Sequence, residues 1–298
     1  MAAPIAFVGL GKLGLPMAAR LAAAGHIVQG YDRETARRDL AAARGVTPRA
    51  TLAEAIAGAS IVFSSLPDDK VLTGLCLGPE GLLAKLAPDT IYAETSTVSP
   101  QASSLVGAEA EARKIAYIRL PMSGNPVLAE AGTLTCFASG PKAAFETLQP
   151  ILGAMTRAQT WLGSGEEARY AKLAVNLMIA VSAGMMAEAL VLARKGGIAW
   201  GAMLDVIAES AVGSPFVKYK VPPLAKRDFS STFSSRQMAK DLDLILAAAR
   251  SAEIAMPLAA LMREAYSTLA AQGRGDEDFI AVVKQAEMLA GLGEPDAT

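Results

Sequence analysis

Near its start the chain carries Gly9-Leu10-Gly11-Lys12-Leu13-Gly14, which follows the spacing G-x-G-x-x-G. A short apolar run, Pro4 to Val8, precedes it, and a helical pattern from Leu13 to Ala24 follows. In that setting the first glycine permits a tight turn. The second lets the backbone approach a pyrophosphate, and the third lets a helix pack close to a sheet. The N–H groups that open the helix then point at the phosphates. Asp32 stands 18 residues after Gly14, at the end of the next strand-like run, Ile27 to Tyr31. A carboxylate there can accept hydrogen bonds from an adenosine ribose. It repels a 2′-phosphate, which favours NAD. Arg33 beside it can meet a phosphate or stack on adenine, which keeps NADP open. The alternative for the loop is a glycine-rich turn that binds nothing.

Other chemistries lack the residues they need. The 298 residues include one histidine, His26, and two cysteines, Cys76 and Cys136. A zinc site built from Cys and His needs about four ligands, so no metal site is expected. A Ser-His-Asp or Cys-His hydrolase would rest on His26 alone. Two distant cysteines make no disulfide framework. The formal net charge is −1, which argues against nucleic acid and anionic membrane as partners. No basic segment precedes the first apolar run, so a cytoplasmic location is expected.

The first part of the chain alternates strand-like and helix-like segments. Strands are expected at Ser60–Ser64, Thr90–Ala93, Ile115–Leu120 and Thr133–Ala138. Helices are expected at Glu34–Arg44, at Thr51–Ala57 with Thr51 and Glu54 as a capping box, and from Ser99-Pro100 to Arg113. Such alternation predicts a doubly wound parallel sheet. After Gly163-Ser164-Gly165 the strand signal fades. Apolar helical segments follow at Arg169–Arg194, Met203–Ser210, Lys240–Ala252, Leu258–Gln272 and Asp278–Leu289. The expected fold is α/β: an N-terminal Rossmann domain over 1–163 and an all-helical C-terminal domain over 164–298. The stretch Leu173 to Ala193 imitates a membrane span, but Asn176, Ser182 and Glu188 interrupt it. It is expected to be a long helix, apolar on all sides and buried between domains or subunits.

Several ordered segments resemble one family, the β-hydroxyacid dehydrogenases, the group of 3-hydroxyisobutyrate dehydrogenase and tartronate semialdehyde reductase. Ile5-Ala6-Phe7-Val8-Gly9-Leu10-Gly11-Lys12-Leu13-Gly14-Leu15-Pro16-Met17-Ala18 is similar to the family's opening signature, with Leu13 where Met is usual. Pro121-Met122-Ser123-Gly124 resembles its substrate-binding segment. Gly163-Ser164-Gly165, with Lys172 and Asn176 after it, resembles its catalytic segment. Lys240-Asp241-Leu242-Asp243-Leu244 resembles its cofactor-contact motif, and Gly273 to Phe279 its late turn.

The resemblance implies a long interdomain helix and NAD(P)-dependent interconversion of a short β-hydroxy acid and its semialdehyde. It implies Lys172 as general acid and base. Ser123, Gly124 and Asn176 would hold the substrate, and Lys240, Leu66, Pro67, Ser96 and Thr97 would lie by the cofactor. Proton transfer must accompany hydride transfer at the carbonyl, and a lysine serves when burial lowers its pKa. His26 falls between the first helix and the second strand, at the wrong end of the sheet for that task. Lys172 and Asn176 are four apart and share a helix face. Two departures touch the substrate segment: Asn125-Pro126 follows Ser-Gly where a second glycine is usual, and Arg119 replaces an Asp. Asn125 could add a hydrogen bond to substrate, and Arg119 could pair with an anion. Phe233 could wall the pocket. A homodimer or homotetramer is expected. An imine reductase-like enzyme and a non-catalytic dinucleotide-binding scaffold are the alternatives.

Overall fold

In the computed structural model, which describes residues 3–293, the chain divides into two compact units that meet between Lys172 and Leu173. The first unit holds strands β1 (Ile5–Val8), β2 (Val28–Tyr31), β3 (Thr47–Pro48), β4 (Ile61–Ser64), β5 (Ile91–Glu94), β6 (Ala116–Arg119), β7 (Met122–Ser123), β8 (Leu134–Ser139) and β9 (Thr156–Gly163). Between them run helices α1 (Gly14–Ala23), α2 (Thr35–Ala42), α3 (Leu52–Ile56), α4 (Asp69–Cys76), α5 (Leu82–Lys85), α6 (Pro100–Ala112), α7 (Pro126–Ala131) and α8 (Lys142–Leu152). Helix α9 (Glu167–Lys195) contains the boundary. Helices α10 (Trp200–Glu209), α11 (Pro215–Ala225), α12 (Ser235–Ser251), α13 (Pro257–Ala271) and α14 (Val282–Leu289) complete the second unit.

The sheet order is β3-β2-β1-β4-β5-β6-β8-β7, with β9 pairing β8. Strands β3 through β6 of that order are parallel, and β8 turns antiparallel against β6 and β7. The order β3-β2-β1-β4-β5-β6 is that of a dinucleotide-binding doubly wound sheet, which puts β1 at the switch point. Strands β1 and β4 are buried along their whole length, as expected for a sheet covered on both faces. Side chains alternate between two cores. Ile5 and Phe7 face Met17 and Leu21, and Phe7 stacks on Phe63 with ring centroids 5.8 Å apart. Ala6 and Val8 face Val62, Leu72 and Tyr92 on the other side.

Local signals close several helices. Ser99 Oγ accepts the Ala102 N–H at 3.0 Å and Pro100 occupies the first turn of α6. Thr51 caps α3, but Glu54 reaches back to the Ala50 N–H rather than to Thr51 itself, so the capping box is displaced by one residue. Cys76 and Cys136 are buried and form no disulfide. Burial pushes both thiols up to about 12, so they stay protonated at neutral pH.

The second unit packs around α9. Leu173, Ala180, Ala183, Met186 and Leu190 meet Leu242, Ile245 and Tyr266 in one core. Gly184 lets the Met262 side chain pack against the helix, where a Cβ would stand 2.5 Å from its Sδ. The helix is not uniformly apolar and buried. Lys172 and Asn176 are buried polar groups on it, while Met178, Met185 and Leu192 are 69%, 60% and 76% exposed. Its length and composition would suffice to cross a membrane, a test that core helices of soluble proteins also pass.

Candidate active site

At the carboxyl end of β1 the chain turns through Gly9, whose φ is +89°. A Cβ on Gly9 would stand 2.3 Å from the Ser65 carbonyl oxygen, and one on Gly14 only 1.9 Å from that of Gly9. Only glycines permit this crossing, and it brings the start of α1 down onto the edge of β1 and β4. No side chain caps α1 at Leu13; Leu15 N–H donates to Gly11 O at 3.0 Å and Pro16 has no N–H, which leaves the N–H of Gly14 and those of the loop before it to face an anion. Leu10 is buried beneath the loop, Gly11 and Leu13 are half-buried, and Lys12 is exposed.

Asp32, buried at the end of β2, is fixed from both sides. Its Oδ2 accepts the Leu10 N–H at 2.8 Å and its Oδ1 accepts the Glu34 N–H at 2.9 Å. Each carboxylate oxygen has a second lone pair, so the group can still receive ribose hydroxyls. Arg33 is exposed. Arg37 stands closer, with Nη1 3.5 Å from Asp32 Oδ2. The glycine loop, the helix start without a side-chain cap and the fixed carboxylate together fit a dinucleotide.

Three further loops leave the same sheet edge and are bonded together. Ser65 N–H donates to Val8 O at 2.9 Å, and Leu66 N–H donates to Ser96 Oγ at 2.6 Å. Thr95 Oγ1–H donates to Ser64 O at 2.6 Å, and Met122 N–H reaches Thr95 O at 3.3 Å. The structure thus gathers Leu66, Ser96 and the Ser123 segment beside the glycine loop, with Pro67 and Thr97 next in chain. Gly124 has φ +139° and no room for a Cβ, which would meet Leu134 at 2.6 Å. Asn125 has a structural duty: its Oδ1 accepts the Leu128 N–H at 3.0 Å and caps α7. Arg119 does too, binding Glu166 Oε1 through Nε at 2.8 Å and Nη2 at 2.6 Å.

Lys172 is 7% exposed. The turn before it is anchored in the first unit, where Arg169 Nη2 donates to Glu94 Oε2 at 2.6 Å. One turn after Lys172, Asn176 Nδ2 donates to Asp241 Oδ2 at 2.5 Å. A carboxylate can only accept, so this bond fixes the amide with Oδ1 as its remaining acceptor. Lys240 Nζ lies 2.9 Å from Asp241 Oδ1. In the second unit the structure therefore joins Asn176, Asp241 and Lys240. Phe233 is half-buried and edge-on to Phe279 with centroids 6.0 Å apart.

Sequence reasoning named neither Asp241 nor Arg37, Arg169 and Glu94 as functional groups. Asp241 carried a usable signal. It lies three after Met238 and beside Leu242, both buried, which puts it on the inner face of α12. Arg169 precedes Lys172 by three and Asn176 by seven, the spacing of one helix face.

Residues 4–163 match a family model described as the NAD binding domain of 6-phosphogluconate dehydrogenase. Residues 163–286 match one described as "NAD-binding of NADP-dependent 3-hydroxyisobutyrate dehydrogenase". The chain belongs to the β-hydroxyacid dehydrogenase family. This β-hydroxyacid dehydrogenase is 34% identical over 289 residues to the NAD-dependent L-serine dehydrogenase of Pseudomonas aeruginosa, covering 94% of this chain and 96% of that one. It is 30% identical to the 2-(hydroxymethyl)glutarate dehydrogenase of Eubacterium barkeri, over 97% and 96% of the two chains. Its fold superposes on that of the Mycobacterium tuberculosis 3-hydroxyisobutyrate dehydrogenase solved with L-serine, with TM-score 0.87, 32% identity and coverage of 96% and 99%. The β-hydroxyacid dehydrogenase is accordingly an oxidoreductase that uses a nicotinamide dinucleotide.

Proposed function

We propose that this enzyme interconverts a hydroxy acid of the form HOCH2–CHR–COO⁻ and its semialdehyde, with NAD favoured over NADP and Lys172 moving the proton. L-serine, 3-hydroxyisobutyrate and 2-(hydroxymethyl)glutarate, after which its relatives are named, all have that form and differ only in R. The observation that carries the reading is the buried Lys172 with Asn176 one turn along α9, its amide orientation fixed by Asp241.

A nicotinamide dinucleotide held at its pyrophosphate by the glycine loop would supply the hydride acceptor for oxidation and the donor for reduction. In oxidation the Lys172 amine takes the proton of the substrate hydroxyl as the C–H bond breaks. In reduction its ammonium returns that proton to the carbonyl oxygen as negative charge grows there. Asn176 Oδ1 is an acceptor, suited to a hydroxyl or an ammonium and not to a second carbonyl oxygen. The Ser123 hydroxyl and the Gly124 N–H bind the substrate carboxylate. Asn125, occupied as a helix cap, offers only its Nδ2 to R.

Asp32 supports NAD, because its fixed carboxylate fills the place a 2′-phosphate would need. Arg37 alongside it is the cation that would meet a 2′-phosphate were that charge removed. Met178, Met185 and Leu192, exposed at seven-residue intervals on α9, support a homodimer or homotetramer.

Lys172→Ala is expected to lower kcat by about 10²–10⁴-fold, the usual share of a general acid–base group. Fluorescence titration should show NADH binding unchanged, and near-parental turnover on HOCH2–CHR–COO⁻ substrates would remove the lysine from the mechanism. For Asp32→Asn, the ratio of NADP-linked to NAD-linked kcat/KM should rise. An unchanged ratio would take the ribose-binding role from Asp32. Sedimentation equilibrium should return a dimer or tetramer, and a monomer would contradict the reading of the α9 face.

A further inference from the structure

We infer that Arg169 is a positioning residue for proton transfer at Lys172, acting through its buried ion pair with Glu94; this rests on the role proposed above for Lys172. Arg169 is 1% exposed and Glu94 0%. Every hydrogen-bonding nitrogen of the guanidinium is used. Nε–H donates to Ser103 Oγ at 3.1 Å, Nη1–H to Ser96 O at 2.8 Å, and Nη2 to both Glu94 Oε2 at 2.6 Å and Tyr117 Oη at 3.0 Å. The second Glu94 oxygen accepts the Ser96 N–H at 2.9 Å. One side chain on α9 is therefore bolted to the end of β5, to the loop after it, to α6 and to β6.

Stability alone does not account for such a pair. Desolvating two charges offsets most of their attraction, and apolar side chains of similar volume commonly hold a fold equally well. A planar fork with several fixed donors supplies direction instead, because each bond constrains both translation and rotation. The beneficiary is close by. Lys172 follows Arg169 by three residues, a rise of about 4.5 Å on the same side of the helix. The loop held by Arg169 is the one whose Ser96 Oγ accepts the Leu66 N–H. The proton carrier and the loops proposed to flank the nicotinamide thus share one anchor. A misplacement of about 1 Å in such an arrangement costs on the order of 10²-fold in rate.

The start of α9 has other attachments. Ser139 Oγ–H donates to Gly165 O at 2.8 Å and accepts the Ala168 N–H at 3.2 Å, and Arg119 holds Glu166. Loss of the Arg169–Glu94 pair should therefore leave the helix docked but less sharply placed.

The test compares the parent enzyme, Glu94→Leu/Arg169→Met and Arg169→Lys, each saturated with NAD and assayed on the best substrate of the parent. For the double variant, kcat should fall about 10–100-fold, with KM and the NADH dissociation constant nearly unchanged. The solvent deuterium isotope effect on kcat should rise as proton transfer becomes slower. Arg169→Lys, which keeps the charge and loses the fork, should show part of the same loss. Parental kcat and isotope effect in the double variant would overturn the inference. If that variant melts below the assay temperature, parental values in Arg169→Lys overturn it instead. Lys172→Ala, run alongside, separates the two ideas. Its retention of turnover defeats the proposed mechanism, whereas its inactivity beside a fully active double variant defeats only the positioning role.

Discussion

The structure depends on a contact that excludes side chains. At the carboxyl ends of β1 and β4, the Gly9 and Gly14 backbones pass so close to Ser65 and to each other that neither position has room for a Cβ. Were either residue larger, α1 could not reach the sheet there, and its first turn would not open over the switch point. The same contact sets Leu10 N–H against Asp32 and draws Ser65 to Val8. A steric requirement thereby becomes an electrostatic one. Backbone donors that α1 leaves uncapped and a carboxylate held by two N–H groups lie at opposite ends of one short loop. That asymmetry matches a ligand with a pyrophosphate at one end and a ribose diol at the other.

Beyond the loop, the buried carboxylates Asp32, Glu94 and Asp241 are each held by named partners. Asp32 is held by Leu10 and Glu34, Glu94 by Ser96 and Arg169, and Asp241 by Asn176 and Lys240. Leaving any one partner unpaired would cost about 1–3 kcal/mol or more for a charged group. These clusters are therefore rigid, and rigidity is what hydride and proton transfer ask of the protein. The chemistry proposed for Lys172 draws on that arrangement. Its helix is pinned one turn before it by Arg169, and one turn after it Asn176 presents an oriented oxygen. The scarcity of histidine is then no handicap: His26, at the amino end of β2, lies on the opposite edge of the sheet from the glycine loop.

What the sequence revealed follows from how local each signal is. The glycine loop was legible because its steric demand is met within a few residues. The strands β1, β4, β5 and β6 were legible as apolar runs, and α6 through Ser99 and Pro100. Helix α8 was hidden by Pro150 in its interior, and α11 by Pro222 and Pro223, residues that ordinarily end a helix. Strand β9 reads TRAQTWLG, in which polar and apolar residues do not alternate, so it lacks the pattern that marks a strand. Gly163-Ser164-Gly165 lies where the two family models meet, and the first compact unit runs on from there to Lys172. The reason is Arg169, which ties the first turn of α9 back to β5. That tie joins residues 75 positions apart, and nothing in the spacing of either residue announces it. The same holds for Asn176 and Asp241, whose pairing exists only once α9 and α12 have packed.

In the mechanism proposed above, an amine at position 172 carries the proton. The most direct measurement replaces that amine chemically. Cys76 and Cys136 are buried with their thiols pushed up to about 12, and parent enzyme treated in parallel with bromoethylamine reads any reaction at them, so the effect of alkylating Lys172→Cys is scored at the new thiol. The product is a lysine analogue with sulfur in its stem. The unalkylated variant should turn over poorly, and alkylation should restore a large part of kcat on HOCH2–CHR–COO⁻ substrates. Parental turnover by the unalkylated variant would contradict that mechanism.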